Sequence, residues 1–374
     1  MKSTGQRLWI PVVLDLALLL LILSYTSTAA AQAPGTFTAT GDMTVARVNH
    51  TATLLLDGRV LIVGGDETGT AELYDPATGT FTRTGNMTTG HGGRNFFGGI
   101  NTTLLPDGRV LIAAGSKSEV YDPTTESFMT TGNMVTNQIG FTATSLTNGK
   151  VLITGGVSKW TDCCLIAAHP ELYNPSTNMF SLTGPYAEMV VPFPDGYTSG
   201  LTNTAATLLA DGKVLILSEP AAEIYDPVTN TFSLTGSMVA TDEGGFWGKP
   251  TQIASRVATL LTTGKVLVGG GNPAYGDTGD FPLTRAELYD ASTGTFAATS
   301  SMHVPRQEHT ATLLPDGTVL TAGGRPSNFC ETTFWAELYD PSTGTFSAGV
   351  QMTAGRAGHQ ATRLRDGRVL ITGG

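Results

Sequence analysis

Charge is scarce in this 374-residue chain: Asp, Glu, Lys and Arg make up 14% of it, against roughly a quarter in an ordinary soluble protein. Positive charge is the scarcer sign, with 21 Lys and Arg against 31 Asp and Glu and a net charge of −10. A Lys-poor acidic chain suits neither nucleic acid nor an anionic membrane, so neither is expected as a partner. Long helical periodicity is missing, which excludes a helical bundle. Chemical motifs are missing as well. The chain has no Gly-x-Ser-x-Gly, no Gly-rich phosphate loop running from strand into helix, and no EF-hand spacing. Sequence motifs therefore name no catalytic residue, no metal ligand and no cofactor, and the reading leans away from an enzyme. Disorder is excluded too, because hydrophobic residues are 40% of the chain and supply ample core material.

Cysteine is nearly missing: Cys163, Cys164 and Cys330 are all there is. A bond between the adjacent pair would be strained. Neighbouring Cα atoms sit about 3.8 Å apart, below the roughly 4.4–6.8 Å that disulfides span. Long apolar runs are also missing, except for Leu16–Leu23. Lys2 and Arg7 precede that run, and Ala29–Ala31 offer small residues for cleavage. Residues 1–31 are expected to be a signal peptide and residues 32–374 a single secreted domain, extracellular or periplasmic. A spanning helix needs about 20 apolar residues, and Asp15 interrupts the run well short of that. No membrane span is expected after cleavage.

Glycine is abundant, at 46 residues, and it recurs in register. A turn glycine stands at Gly58, Gly108, Gly149, Gly212, Gly264, Gly317 and Gly367, a period of about 51 residues. A tyrosine followed by Asp or Asn recurs at Tyr74, Tyr121, Tyr173, Tyr225, Tyr289 and Tyr339. A phenylalanine recurs at Phe37, Phe81, Phe128, Phe180, Phe232, Phe296 and Phe346. Each unit holds four strand-like runs: a (as in 51–55), b (60–65), c (71–74) and d (80–82). Asp-Gly between a and b, and Asp-Pro-x-Thr-Gly between c and d, supply turn chemistry. Four antiparallel strands per fifty-residue repeat predict an all-β fold, a β-propeller.

The Gly-Gly ending strand b, the Glu-x-Tyr-Asp-Pro of strand c and the aromatic of strand d resemble Kelch repeats, of the kind found in galactose-oxidase-like propellers. The resemblance covers essentially all of residues 32–374. Phe stands where the strand-d aromatic of Kelch repeats is usually Trp, and Ser218-Glu219 replaces Gly-Gly in the fourth unit. Seven a–b hairpins and seven d runs, but six c runs, predict seven blades. The last is closed by the N-terminal run around Phe37 and incomplete at the C-terminus. The expectation is that the native chain continues beyond Gly374 with an Ala-Glu-Leu-Tyr-Asp-Pro-like strand.

Strand parity puts the short a–b and c–d turns on one face of the ring and the long d–a and b–c loops on the other. Binding residues usually sit on variable loops carried by a rigid scaffold. Aromatics outside the repeat positions concentrate there, and Trp160, Trp247, Trp335, Phe246, Phe334, Tyr186 and Tyr197 are the candidate ligand-binding residues. The expected ligand is a carbohydrate or an extracellular protein. Three units share Arg-x-x-His before strand a: Arg47/His50, Arg306/His309 and Arg356/His359. Neutral imidazoles could hold a metal, whereas the Kelch resemblance implies bonds between blades. The same resemblance raises a copper radical oxidase as the alternative function, or a structural interaction module of a longer chain. No Tyr-His dipeptide of the oxidase kind is present.

Overall fold

The computed structural model describes residues 35–66, 68–88, 99–160, 165–187, 205–217, 221–238, 252–274, 282–327 and 331–374. Every regular element among them is a β-strand. The blades belong to the unit Phe37–Gly374. In the first blade, strands a (Thr51–Leu54), b (Val60–Val63), c (Ala71–Asp75) and d (Thr80–Arg83) pair in that order, antiparallel throughout. The order repeats in blades whose first strands are Asn101–Leu104, Ile139–Ser145, Ala206–Leu208, Val257–Leu260 and Thr310–Leu313. The a strands stand against one another around a ring, and the hairpin strand Gln360–Arg363 fills the step between Thr310–Leu313 and Thr51–Leu54.

The expected seven four-stranded blades are therefore six, because the hairpin of Gln360–Arg363 and Val369–Thr372 stays two-stranded. The physical cause is a missing neighbour. No described residue pairs with the outer side of Val369–Thr372. The run around Phe37, expected to close the last blade as a strand, consequently has no c strand to bond with and takes no strand conformation.

Each feature of the repeat has a structural reason. The apolar run of strand b is hemmed in by a and c and by the adjoining blades, so Val60, Leu61, Ile62 and Val63 are all fully buried. A buried Val, Leu or Ile contributes about 1.5–3 kcal/mol, and this run recurs in every blade. The Tyr of strand c lies opposite the Phe of strand d, with ring centroids 4.8 Å apart for Tyr74–Phe81 and 4.9 Å for Tyr339–Phe346. The cores form between blades: Leu55, Leu61 and Val63 pack with Val110, Ile112, Tyr121 and Phe128 of the next one. Threonine-rich a strands bond around the axis, as in Thr53 Oγ1 to Thr102 Oγ1 at 2.7 Å. The a–b turn needs a left-handed residue, supplied by Gly58 at φ 96°. The c–d turn needs another, supplied by Gly79 (φ 71°) in blade one and by Asn178 (φ 54°) in blade three.

Three of the expected long loops contain strands. Strand b of blade three runs from Val151 to Trp160 and folds back onto Leu165–Ala167. In blade five, Asn272–Ala274 pairs with Gln252–Ala254.

Candidate functional site

On the variable face, the b–c connection of blade six ends in Phe334 and Trp335. Its backbone is pinned from three directions. The Met352 amide donates to the Phe334 carbonyl at 2.8 Å, the Gly323 amide donates to the Trp335 carbonyl at 3.2 Å, and the Trp335 amide donates to Thr333 Oγ1 at 3.2 Å. Beneath it lies Arg306, fully buried. Arg306 Nη1 donates to the carbonyls of Gly323 (2.6 Å) and Trp335 (2.7 Å), while Nη2 pairs with Glu337 Oε1 at 2.8 Å. Burial would raise the Glu337 carboxyl. Hydrogen bonds from the His303 amide and Arg306 outweigh it and hold the group below the usual carboxylate range.

On this anchored backbone the two rings remain open to solvent, Phe334 at 42% and Trp335 at 39% exposure. Their centroids are 5.3 Å apart and their planes tilted by 36°. Gln351, exposed, forms a bridge opposite Trp335, and exposed Val350 accepts the Ala336 amide beside it. The two rings form an apolar, π-rich ledge, with exposed Gln351 across the bridge from Trp335. It can stack on a flat apolar face and hydrogen-bond to a polar rim.

The other candidates divide sharply. Tyr186 is turned inward: its hydroxyl accepts the Gly155 amide at 2.7 Å, and its ring meets Phe232 edge-on at 5.0 Å. Burial pushes its phenol up. Trp160 ends its strand, with its backbone opposite Leu165. Phe246, Trp247 and Tyr197 lie outside the described residues, as do all three cysteines, Ser218 and Glu219. Phe334 and Trp335 are thus the one pair of candidates that the described residues bring together.

The Arg-x-x-His units are built as joints between neighbours. His50 Nε2 bonds Thr372 Oγ1 at 2.8 Å, and His359 Nε2 bonds Thr310 Oγ1 at 3.0 Å. Desolvation by burial, followed by the charge of the adjacent arginines, lowers His50 and His309 to about 3 and His359 to about 4. All three rings are neutral near pH 7. Their Nδ1 atoms are buried without a hydrogen-bond partner. Among the described residues, no three His, Cys, Asp or Glu side chains come together as a metal-holding group. These histidines do not assemble the donor set expected of a copper centre.

Reading the residues singly missed the carboxylates. Glu72, Glu119, Glu171, Glu223, Glu287 and Glu337 stand in the c strands and are at most 1% exposed. The signal was present: each lies two residues before its repeat tyrosine. Five of them accept an amide from the segment after the preceding d run: Thr44 at 2.6 Å, Thr88 at 3.0 Å, Val135 at 2.8 Å, Ala187 at 3.2 Å and His303 at 2.8 Å.

Comparison with known proteins bears on the fold. No family model matches the chain, and no curated protein does. Among solved structures, a novel fungal alcohol oxidase of the AA5 family, in complex with copper, is similar at a TM-score of 0.72. The two are 18% identical, over 91% of this chain and 72% of that one. YjhT is similar at a TM-score of 0.56 and 14% identity, over 82% of this chain and 98% of that one. The chain shares their β-propeller fold.

Proposed function

We propose that the chain is a secreted Kelch-type propeller, of the galactose-oxidase-like kind, that binds carbohydrate through the loop face carrying Phe334 and Trp335. The observation that carries this reading is the pair of solvent-exposed rings on a backbone fixed by buried Arg306. Sugar rings offer apolar C–H faces and a rim of hydroxyls, which match an aromatic ledge with exposed Gln351 across the bridge from Trp335. Pre-ordering the backbone lowers the entropy lost on binding. Export by residues 1–31, with residues 32–374 as the one domain, belongs to the same reading. Trp160, Trp247, Phe246 and Tyr197 would extend the surface.

The test is a tryptophan-fluorescence titration with oligosaccharides of several classes, repeated on Trp335→Ala. A saturable change with one class, lost in the variant, is the expected result. Equal binding by the variant would sink the ledge as the site. Saturation with an extracellular protein and with no sugar would move the ligand class while keeping the face.

A second reading is a copper oxidoreductase, favoured by the fold shared with the copper-containing alcohol oxidase. Its test is metal analysis of the secreted protein, together with peroxide release on a panel of alcohols. Bound copper with turnover would support it; copper-loaded protein without turnover would count against it.

A further inference from the structure

We propose that the outer edge of Val369–Thr372 is an acceptor for one added antiparallel strand, a peptide segment of the type small–Glu–apolar–Tyr–Asp, whose glutamate is received by Arg356. Blade six serves as the template, because the hairpin repeats it fifty residues later. There, Ala322, Thr321, Leu320 and Val319 of strand b pair with Ala336, Glu337, Leu338 and Tyr339 of strand c. The same register sets Thr372, Ile371, Leu370 and Val369 opposite small, Glu, apolar and Tyr positions.

Four observations outline the vacant place. The first is an arginine whose two counterparts each hold a carboxylate. Arg47, Arg306 and Arg356 each donate from Nη1 to the carbonyl of the first glycine of the pair ending strand b, at 2.6 Å in all three cases. Arg47 and Arg306 also pair with Glu72 and Glu337. Arg356 has no carboxylate among the described residues, and it is half-buried where the other two are buried. The second is the Thr353 amide. It stands where Thr44, Thr88 and His303 donate to the strand-c glutamate. The third is the strand itself. Val369 and Ile371 are only half-buried, whereas their counterparts Val60, Ile62, Val110, Ile112, Val214 and Ile216 are at 0% exposure. The fourth is Phe37. It packs beside Met352, as Phe346 packs with Met302 and Phe128 with Met87, yet it has no tyrosine in its cluster, where those two have Tyr339 and Tyr121.

The place is thus bounded by a strand edge, a phenylalanine, an arginine and a backbone amide. Main-chain hydrogen bonds to an exposed edge supply affinity for any strand, and the pockets for alternate side chains supply selectivity. A tyrosine at the Val369 register would meet Phe37, and a glutamate at the Ile371 register would meet Arg356 and Thr353.

The experiment titrates the chain into a fluorescent synthetic peptide copying Arg285–Thr293, read by anisotropy. Saturable binding is expected. It should weaken at least about tenfold when the peptide carries Glu287→Gln, as a buried charge pair loses one partner. The Arg356→Met chain should bind both peptides alike. The peptide substitution leaves the chain untouched, so the result does not depend on how the Arg356→Met chain folds. A scrambled peptide binding equally well would overturn the proposal, as would an absence of saturation. Sedimentation showing a dimer that Val369→Lys abolishes would assign the edge to a second copy and overturn it too.

Discussion

Blade six and the hairpin ending at Thr372 are written in nearly the same residues, fifty positions apart, and reach different states. Both have the arginine, the histidine, the a–b turn and the paired glycines. Blade six adds strands c and d, and with them Arg306 is sealed against Glu337. The hairpin keeps the arginine–carbonyl bond but leaves Arg356 half-open and its outer strand partly wet. The difference teaches that the repeat pattern fixes local conformation, while burial comes from the next strand out.

Removing the carboxylate from the complete blade should break the comparison hardest. Glu337→Ala leaves Arg306 buried without its anion, and we expect a loss of about 3–5 kcal/mol in urea unfolding. Arg356→Ala, which removes one partly exposed bond, should cost under about 1 kcal/mol. Equal losses would mean that the two sites are not in different states.

Acid should act next. The folded histidines titrate at about 3, 3 and 4, below their ordinary 6.5. Between those values and 6.5 the unfolded chain binds protons that the folded chain refuses. Stability should therefore fall as pH drops through 6.5 towards 4, by about 1.4 kcal/mol per pH unit for each histidine. Calorimetry at pH 7 and pH 5 checks this. His309→Asn should flatten the slope by about one histidine's share, and an unchanged slope would place the titration elsewhere.

Smaller effects sharpen the picture. Thr299 Oγ1 bonds the Tyr339 hydroxyl at 2.9 Å in the complete blade, and Gly349 stands at that place before the hairpin. Thr299→Val should cost about 1 kcal/mol, read as a shift in urea midpoint. Trp335→Ala should change stability least, by about 0.5 kcal/mol or less, while abolishing carbohydrate binding. A large stability loss there would mark the ledge as packing.

Much of this was legible beforehand. The Tyr and Phe spacing foretold strands c and d, and the Asp-Gly and Asp-Pro-x-Thr-Gly turns foretold the reversals, because a repeated local pattern acts through local geometry. The blade count was not legible, since completing the last blade depends on pairing between residues far apart in the chain. Tyr186 and Trp335 looked alike as loop aromatics. One found a backbone amide to bond and turned inward, while the other had its amide and carbonyl bound and its ring left outside. Composition cannot distinguish those cases. The glutamates of strand c were visible as part of the repeat but were given no role, because the amides that offset the cost of their burial come from a different segment of the chain.

Amide hydrogen exchange of the two b strands against each other tests the central comparison most directly. The Gly323 amide bonds to the Trp335 carbonyl on the strand-c side. By alternation the amides of Thr321 and Val319 face the same way, as do those of Ile371 and Val369 in the hairpin. The account predicts that Ile371 and Val369 exchange at least about a hundredfold faster than Thr321 and Val319, and that the Arg285–Thr293 peptide slows them. Equal protection of all four without peptide would contradict it, because something would already cover that edge.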